Sequence, residues 1–163
     1  MLVQVESKKC EQYWPDAANE SIQVGEFEIS LLEEQWKSPT VVHRRLLMKS
    51  AMNCTFELLH IQYTGWPDHG LPLEESEFES VLQSSFPFRS NLLVHCSAGV
   101  GRTGTFITAL SMLAKQFPFA SSNDFLQELK STICLFRRQR VMIVQNEKQF
   151  LFLARFLCNK ICL

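Results

Sequence analysis

One stretch narrows the possible folds more than any other: Val94-His95-Cys96-Ser97-Ala98-Gly99-Val100-Gly101-Arg102-Thr103-Gly104. The apolar run from Leu92 to His95 predicts a buried strand. A helical pattern begins near Arg102 and continues through Phe106, Ile107, Leu110, Leu113 and Phe117. Three of the chain's six glycines fall between positions 99 and 104, so the connection between strand and helix is a tight glycine loop. A strand, such a loop and a helix N-terminus make an anion cradle. Backbone N–H groups converge there, and the helix end adds partial positive charge.

A cysteine at the base of that cradle is a nucleophile aimed at a bound oxyanion. A free thiol with a pKa of about 8.5 is mostly protonated at neutral pH. The N–H dipoles, the helix terminus and Arg102 all favour the thiolate. Arg102 follows Cys96 by six positions, so one loop turn can wrap a tetrahedral anion while the planar guanidinium grips two of its oxygens. Thr103 places a hydroxyl beside the sulfur. Gly99 and Gly101 let the backbone reach positive φ and approach the anion closely. A cysteine six residues before an arginine is a weak signal alone, and a buried structural cysteine in a glycine turn is its plain alternative. The histidine, the spaced glycines and the strand–loop–helix setting raise it well above that.

Asp68, one of three aspartates, lies in Gly65-Trp66-Pro67-Asp68-His69-Gly70, with Pro72 following. That composition marks a hinged loop. Such a loop can bring one carboxylate over a substrate and protonate a departing oxygen, a role worth about 10²–10⁴-fold. Gln145 and Gln149 stand four apart at the opening of an apolar helix expected over Gln145–Ile161, which would put both amides on one face.

These segments together resemble the protein tyrosine phosphatases. His95-Cys96-Ser97-Ala98-Gly99-Val100-Gly101-Arg102-Thr103-Gly104 matches that family's phosphate-binding loop. Lys9-Cys10-Glu11-Gln12-Tyr13-Trp14-Pro15 looks like its K-C-x-x-Y-W-P segment, and Trp66-Pro67-Asp68-His69-Gly70 is similar to its mobile acid loop. Arg137-Arg138-Gln139-Arg140 with Val144-Gln145 and Gln149 is similar to its glutamine loop. The resemblance is to the tyrosine-specific branch, most of all to receptor-type members. It implies hydrolysis of phosphotyrosine in proteins through a cysteinyl-phosphate. Cys96 would be the nucleophile, Asp68 the acid and Gln145 the water-orienting residue, with Gln149 assisting. Arg102 and the loop Ser97, Ala98, Gly99, Val100 and Gly101 would bind phosphate. His95, Thr103 and Trp66 would support them. No cofactor or metal is implied. The competing class is a non-catalytic phosphotyrosine-binding or pseudo-phosphatase module.

The implied fold is α/β (α+β): a twisted mixed sheet flanked by helices. Strands are expected at Gln23–Leu32, Val41–Leu47 and Thr55–Thr64. Helices are expected at Leu73–Ser84, Arg102–Phe117 and Asn123–Phe136, the last capped by Asn123 or Ser122, followed by the helix from Gln145. Met1-Leu2-Val3-Gln4 looks like a central strand of the family's sheet. The resemblance therefore implies that the whole chain, 1–163, corresponds to the C-terminal part of the catalytic domain, expected to be N-terminally truncated and to lack the phosphotyrosine-recognition loop.

The formal net charge of −1 suggests no nucleic-acid surface. His43, His60 and His69 form no metal-ligand spacing with the cysteines. The apolar run Phe150–Leu157 is too short to span a bilayer. The six cysteines lack a framework spacing, and a reactive thiolate needs a reducing compartment, so the chain is expected to be cytoplasmic.

Overall fold

The computed structural model describes residues 11–52, 54–89, 91–115, 119 and 121–161. Lys9 and Cys10, the first residues of the K-C-x-x-Y-W-P segment, and the expected strand at Met1–Gln4 lie outside them. The chain forms two compact units, one reaching to Gly65 and one beginning at Trp66.

The first unit is an antiparallel meander of β1 (Ser21–Val24), β2 (Phe27–Trp36), β3 (Val41–Ser50) and β4 (Thr55–Tyr63), in that order across the sheet. The expected single strand Gln23–Leu32 is in fact a hairpin. Val24 pairs with Phe27 around a two-residue turn whose Gly25 has φ 60°. That left-handed turn is what a tight hairpin with the native twist requires. All described pairings are antiparallel, so the sheet is not mixed among the described strands. Alternation in β2 buries Ile29 and Leu31 against Trp14 and Leu46. The register then shifts between Leu31 and Glu33, and the far end of β2 is exposed. The buried Arg44 is satisfied by Glu34 at 2.6 Å and Gln62 at 2.8 Å, with its guanidinium 4.9 Å from the Trp14 ring.

The second unit is helical: α1 (Glu75–Ser85), α2 (Arg102–Lys115), α3 (Ser122–Gln139) and α4 (Glu147–Ile161), with a short 3₁₀ turn at Phe86–Phe88 where Pro87 ends α1. Phe78 of α1 is fully buried and meets four rings edge to face: Trp66 at 5.3 Å, Phe106 at 6.1 Å, Phe152 at 5.2 Å and Phe156 at 5.1 Å. The α3 cap is Ser121, one residue before those expected. Its Oγ accepts the Asp124 N–H at 3.1 Å, and its own extended backbone (φ −154°) marks the true helix boundary. No helix among the described residues is long and apolar enough to cross a membrane. The α+β class stands as expected.

The strand expected at Leu92–His95 does not form. An apolar run becomes a strand only when its N–H and C=O groups join a ladder. None of the four strands pairs with this one, and Leu93 is 85% exposed.

Candidate active site

All the predicted site residues belong to the second unit. Cys96 is buried and opens a loop that runs directly into α2, whose first residue is Arg102. Gly99 folds the loop back with φ 70°, so that its N–H donates to the Cys96 sulfur at 3.2 Å. Among the described residues, the N–H groups of Ser97, Ala98, Val100 and Gly101 find no protein acceptor. Burial pushes the Cys96 thiol up. It is outweighed by the Thr103 hydroxyl and backbone, the Gly99 N–H and the Arg102 charge, which together hold the thiol below its ordinary range. Burial likewise holds the His95 imidazole below its usual value, against a backbone hydrogen bond at Cys96 that works the other way.

Arg102 is 2% exposed, and its guanidinium joins the cysteine loop to the acid loop. Nη1 donates to the Trp66 carbonyl at 3.1 Å. Nη2 donates to Asp68 Oδ1 at 3.1 Å and to Ser97 Oγ at 3.0 Å. A buried cation needs such partners. The acid loop is in turn tied to itself: Trp66 Nε1 donates to the Gly70 carbonyl at 3.0 Å, and Gly70 N–H donates to the Pro67 carbonyl at 3.1 Å. Trp66 is fully buried, while Asp68 keeps 27% of its side chain open to solvent. An anchored ring and a half-open carboxylate suit proton exchange at a substrate.

The glutamines meet differently from expectation. Helix α4 begins at Glu147, so Gln145 is not on it. Asn146 caps the helix, its Oδ1 accepting the Gln149 N–H at 3.0 Å. Val144, with φ 58°, cannot be a helical residue. The two glutamines are instead linked by Gln145 N–H donating to Gln149 Oε1 at 2.9 Å, a relative of the capping box. They converge on Gly101. A Cβ built there would lie 2.9 Å from Gln145 Oε1 and 3.0 Å from Gln149 Nε2. Gly101 is therefore needed for space; only Gly99 of the two has positive φ.

Three contributors escaped the sequence reading. Arg140 Nη2 donates to the Ala98 carbonyl at 2.9 Å, holding that oxygen away from the converging N–H groups. Asn146 Nδ2 donates to the His69 carbonyl at 3.2 Å, joining the glutamine segment to the acid loop. The spacing Asn146-x-x-Gln149 is itself a cap signature and could have revealed it. Gly104 lets residues 143–144 lie on α2, since a Cβ there would sit 2.5 Å from the Val144 nitrogen. Alanine is the better helix former by about 1 kcal/mol, but overpacking against backbone costs about 1–3 kcal/mol or more. Gly104→Ala is accordingly expected to lower stability in urea titration despite its helix preference.

The family model for protein-tyrosine phosphatase matches residues 1–159. Tyrosine-protein phosphatase 99A of Drosophila melanogaster is 35% identical over 164 residues, covering 93% of this chain and 12% of that protein. Tyrosine-protein phosphatase Lar of the same organism is 31% identical over 160 residues, covering 94% of this chain and 8% of that protein. Among solved structures, the catalytic domain of human protein tyrosine phosphatase non-receptor type 18 superposes with a TM-score of 0.83 at 28% identity, over 99% of this chain and 59% of that one. This chain thus spans a small share of its curated relatives and about three-fifths of a solved catalytic domain. A family match from residue 1 to 159 and a fold shared with solved members leave one assignment: the chain belongs to the protein-tyrosine phosphatase family.

Proposed function

We propose that this chain hydrolyses phosphotyrosine in proteins through a cysteinyl-phosphate intermediate. The reading is carried by one observation: a buried cysteine held toward its thiolate beside a guanidinium that also grips the acid-loop carboxylate. The Cys96 thiolate attacks phosphorus in line. The N–H groups of Ser97, Ala98, Val100 and Gly101 take the equatorial oxygens, where charge spreads in a loose transition state. Arg102 can keep its bond to the Trp66 carbonyl while Nη2 turns from Ser97 Oγ to a phosphate oxygen. As the P–O bond breaks, the electron pair leaves with the phenol oxygen and Asp68 supplies its proton.

The second step runs in reverse. Water placed by Gln145, with Gln149 beside it, attacks phosphorus and gives a proton to the Asp68 carboxylate. The P–S bond breaks, the sulfur leaves as thiolate facing the Thr103 hydroxyl, and inorganic phosphate departs. His95 stays near the loop without transferring a proton, and Trp66 anchors the acid loop. A solved relative, PTPN18, is described in complex with HER2-pY1248 phosphopeptides, which supports the substrate class. The need to keep the thiolate reduced supports a cytoplasmic setting.

The test is a phosphotyrosyl peptide offered to the purified chain. Release of phosphate with an acid-trapped phosphate adduct on Cys96, located by mass spectrometry, is the expected result. Tight peptide binding without release would replace this reading with the non-catalytic phosphotyrosine-binding one.

A further inference from the structure

The segment Val141–Gln145 is held in a shape its residues do not choose. Met142 has φ 66° and Val144 φ 58°, left-handed conformations that a β-branched residue adopts only under constraint. Something must over-determine this turn. Part of the constraint is burial, since Ile143 and Val144 are each 2% exposed. Part is the bond from Val144 N–H to the Val100 carbonyl at 3.1 Å, which docks the turn on the cysteine loop.

The remainder comes from α3. Arg137 Nε donates to the Ile143 carbonyl at 2.9 Å, and its Nη2 donates to the Val144 carbonyl at 2.9 Å. One planar fork thus holds two successive carbonyls, a match a lysine cannot reproduce. The second is the more telling. The peptide joining Val144 to Gln145 has its oxygen on Arg137 and its N–H on Gln149 Oε1. Both ends of that plane are fixed, and the plane sets the direction in which the Gln145 side chain leaves the backbone. A cation in the last turn of α3 is also favoured by the helix dipole, but that field does not require a bond to each of two loop carbonyls.

We propose that Arg137 is a positioning residue that aims Gln145 by clamping the 143–145 peptides. The inference rests on the role given to Gln145 above. Arg137 acts through the loop, so it bears on breakdown of the cysteinyl-phosphate and leaves its formation alone. Small displacements of a positioned group are costly, up to about 10²-fold for 1 Å.

The experiment compares wild type with Arg137→Gln and Arg137→Lys. Site-resolved amide exchange is expected to lose roughly tenfold or more protection at Val144 and Gln145 in the glutamine variant, less in the lysine variant, and none at Thr105 of α2. Rapid-quench kinetics with para-nitrophenyl phosphate should show breakdown of the covalent intermediate slowed by about tenfold and formation changed by less than about twofold. Unchanged protection at Val144 and Gln145, or equal loss across α2, would overturn the clamp. Local loss without slower breakdown would overturn its part in catalysis. A wild type that forms no covalent intermediate would strike the proposed function instead, with the exchange arm still deciding whether Arg137 fixes the turn. Should the glutamine variant fail to fold, Arg137→Lys carries both readings.

Discussion

Cys96→Ser is expected to reduce turnover of an aryl phosphate by about 10⁴–10⁶-fold, the scale on which removal of a catalytic nucleophile is felt. The two side chains differ by one atom, so the loop should persist and phosphopeptide binding should survive. What is lost is charge. The Gly99 N–H, the Thr103 hydroxyl and the Arg102 guanidinium all work to keep the sulfur ionised, and a hydroxyl is far too weak an acid for the same surroundings to ionise it. A direct check is the rate of alkylation at Cys96 against pH. It should remain high well below the usual thiol pKa of about 8.5. Ordinary thiol behaviour in folded protein would remove the nucleophile from the proposal. The same shift has a consequence for stability. With the folded pKa depressed, the unfolded chain binds the extra proton between the two values, so this contribution is full above the unfolded value and is lost as pH falls through the folded one. In Cys96→Ser that part of the pH dependence should vanish.

The parts of the site that were legible in the sequence are those built from neighbours in the chain. Cys96, Gly99 and Arg102 are contiguous, and the loop they make follows from glycine freedom and a helix start. Asp68 came from its place in a glycine-flanked Trp-Pro-Asp segment, not from any spacing to Arg102, which it meets across 34 positions. Most of the misses turn on how one segment folds back on another, which residue pattern alone does not disclose. Arg137 and Arg140 entered only as letters of the glutamine-loop segment, with no bond assigned to them, yet each holds backbone oxygen of a loop. Gln145 and Gln149 read as one helical face, because nothing in their spacing discloses that Val144 is left-handed; the cap at Asn146 was legible in Asn146-x-x-Gln149 and was passed over. The hydrophobic run at Leu92–His95 has the pattern of a strand, but pattern supplies no ladder. In the sheet, Gly25 sat inside an otherwise continuous alternation and concealed a hairpin turn.

Asp68→Asn is expected to lower kcat by about 10²–10⁴-fold on phosphotyrosyl peptides. The amide can keep the bond to Arg102 through its oxygen, so the acid loop should stay seated and the loss should report proton transfer alone. Two further measurements separate this from a general disturbance. The loss should shrink as the leaving group becomes more acidic, because a stable phenolate departs without a donated proton. The limb of the pH profile that requires a protonated acid should disappear. Binding should move the other way. Where Asp68 is ionised, its carboxylate and an incoming phosphate are two anions at one buried guanidinium, and like charges at that distance repel most where water is scarce, so phosphate is best accepted with Asp68 protonated, the form that then serves as acid. Asparagine keeps the hydrogen bond without the charge, so repulsion of the phosphate is relieved, and KM, or the Kd for a phosphate-analogue oxyanion, should fall while kcat collapses. A variant in which kcat and affinity decline together would mean that Asp68 chiefly holds Arg102 in place, and the proton would have to come from elsewhere.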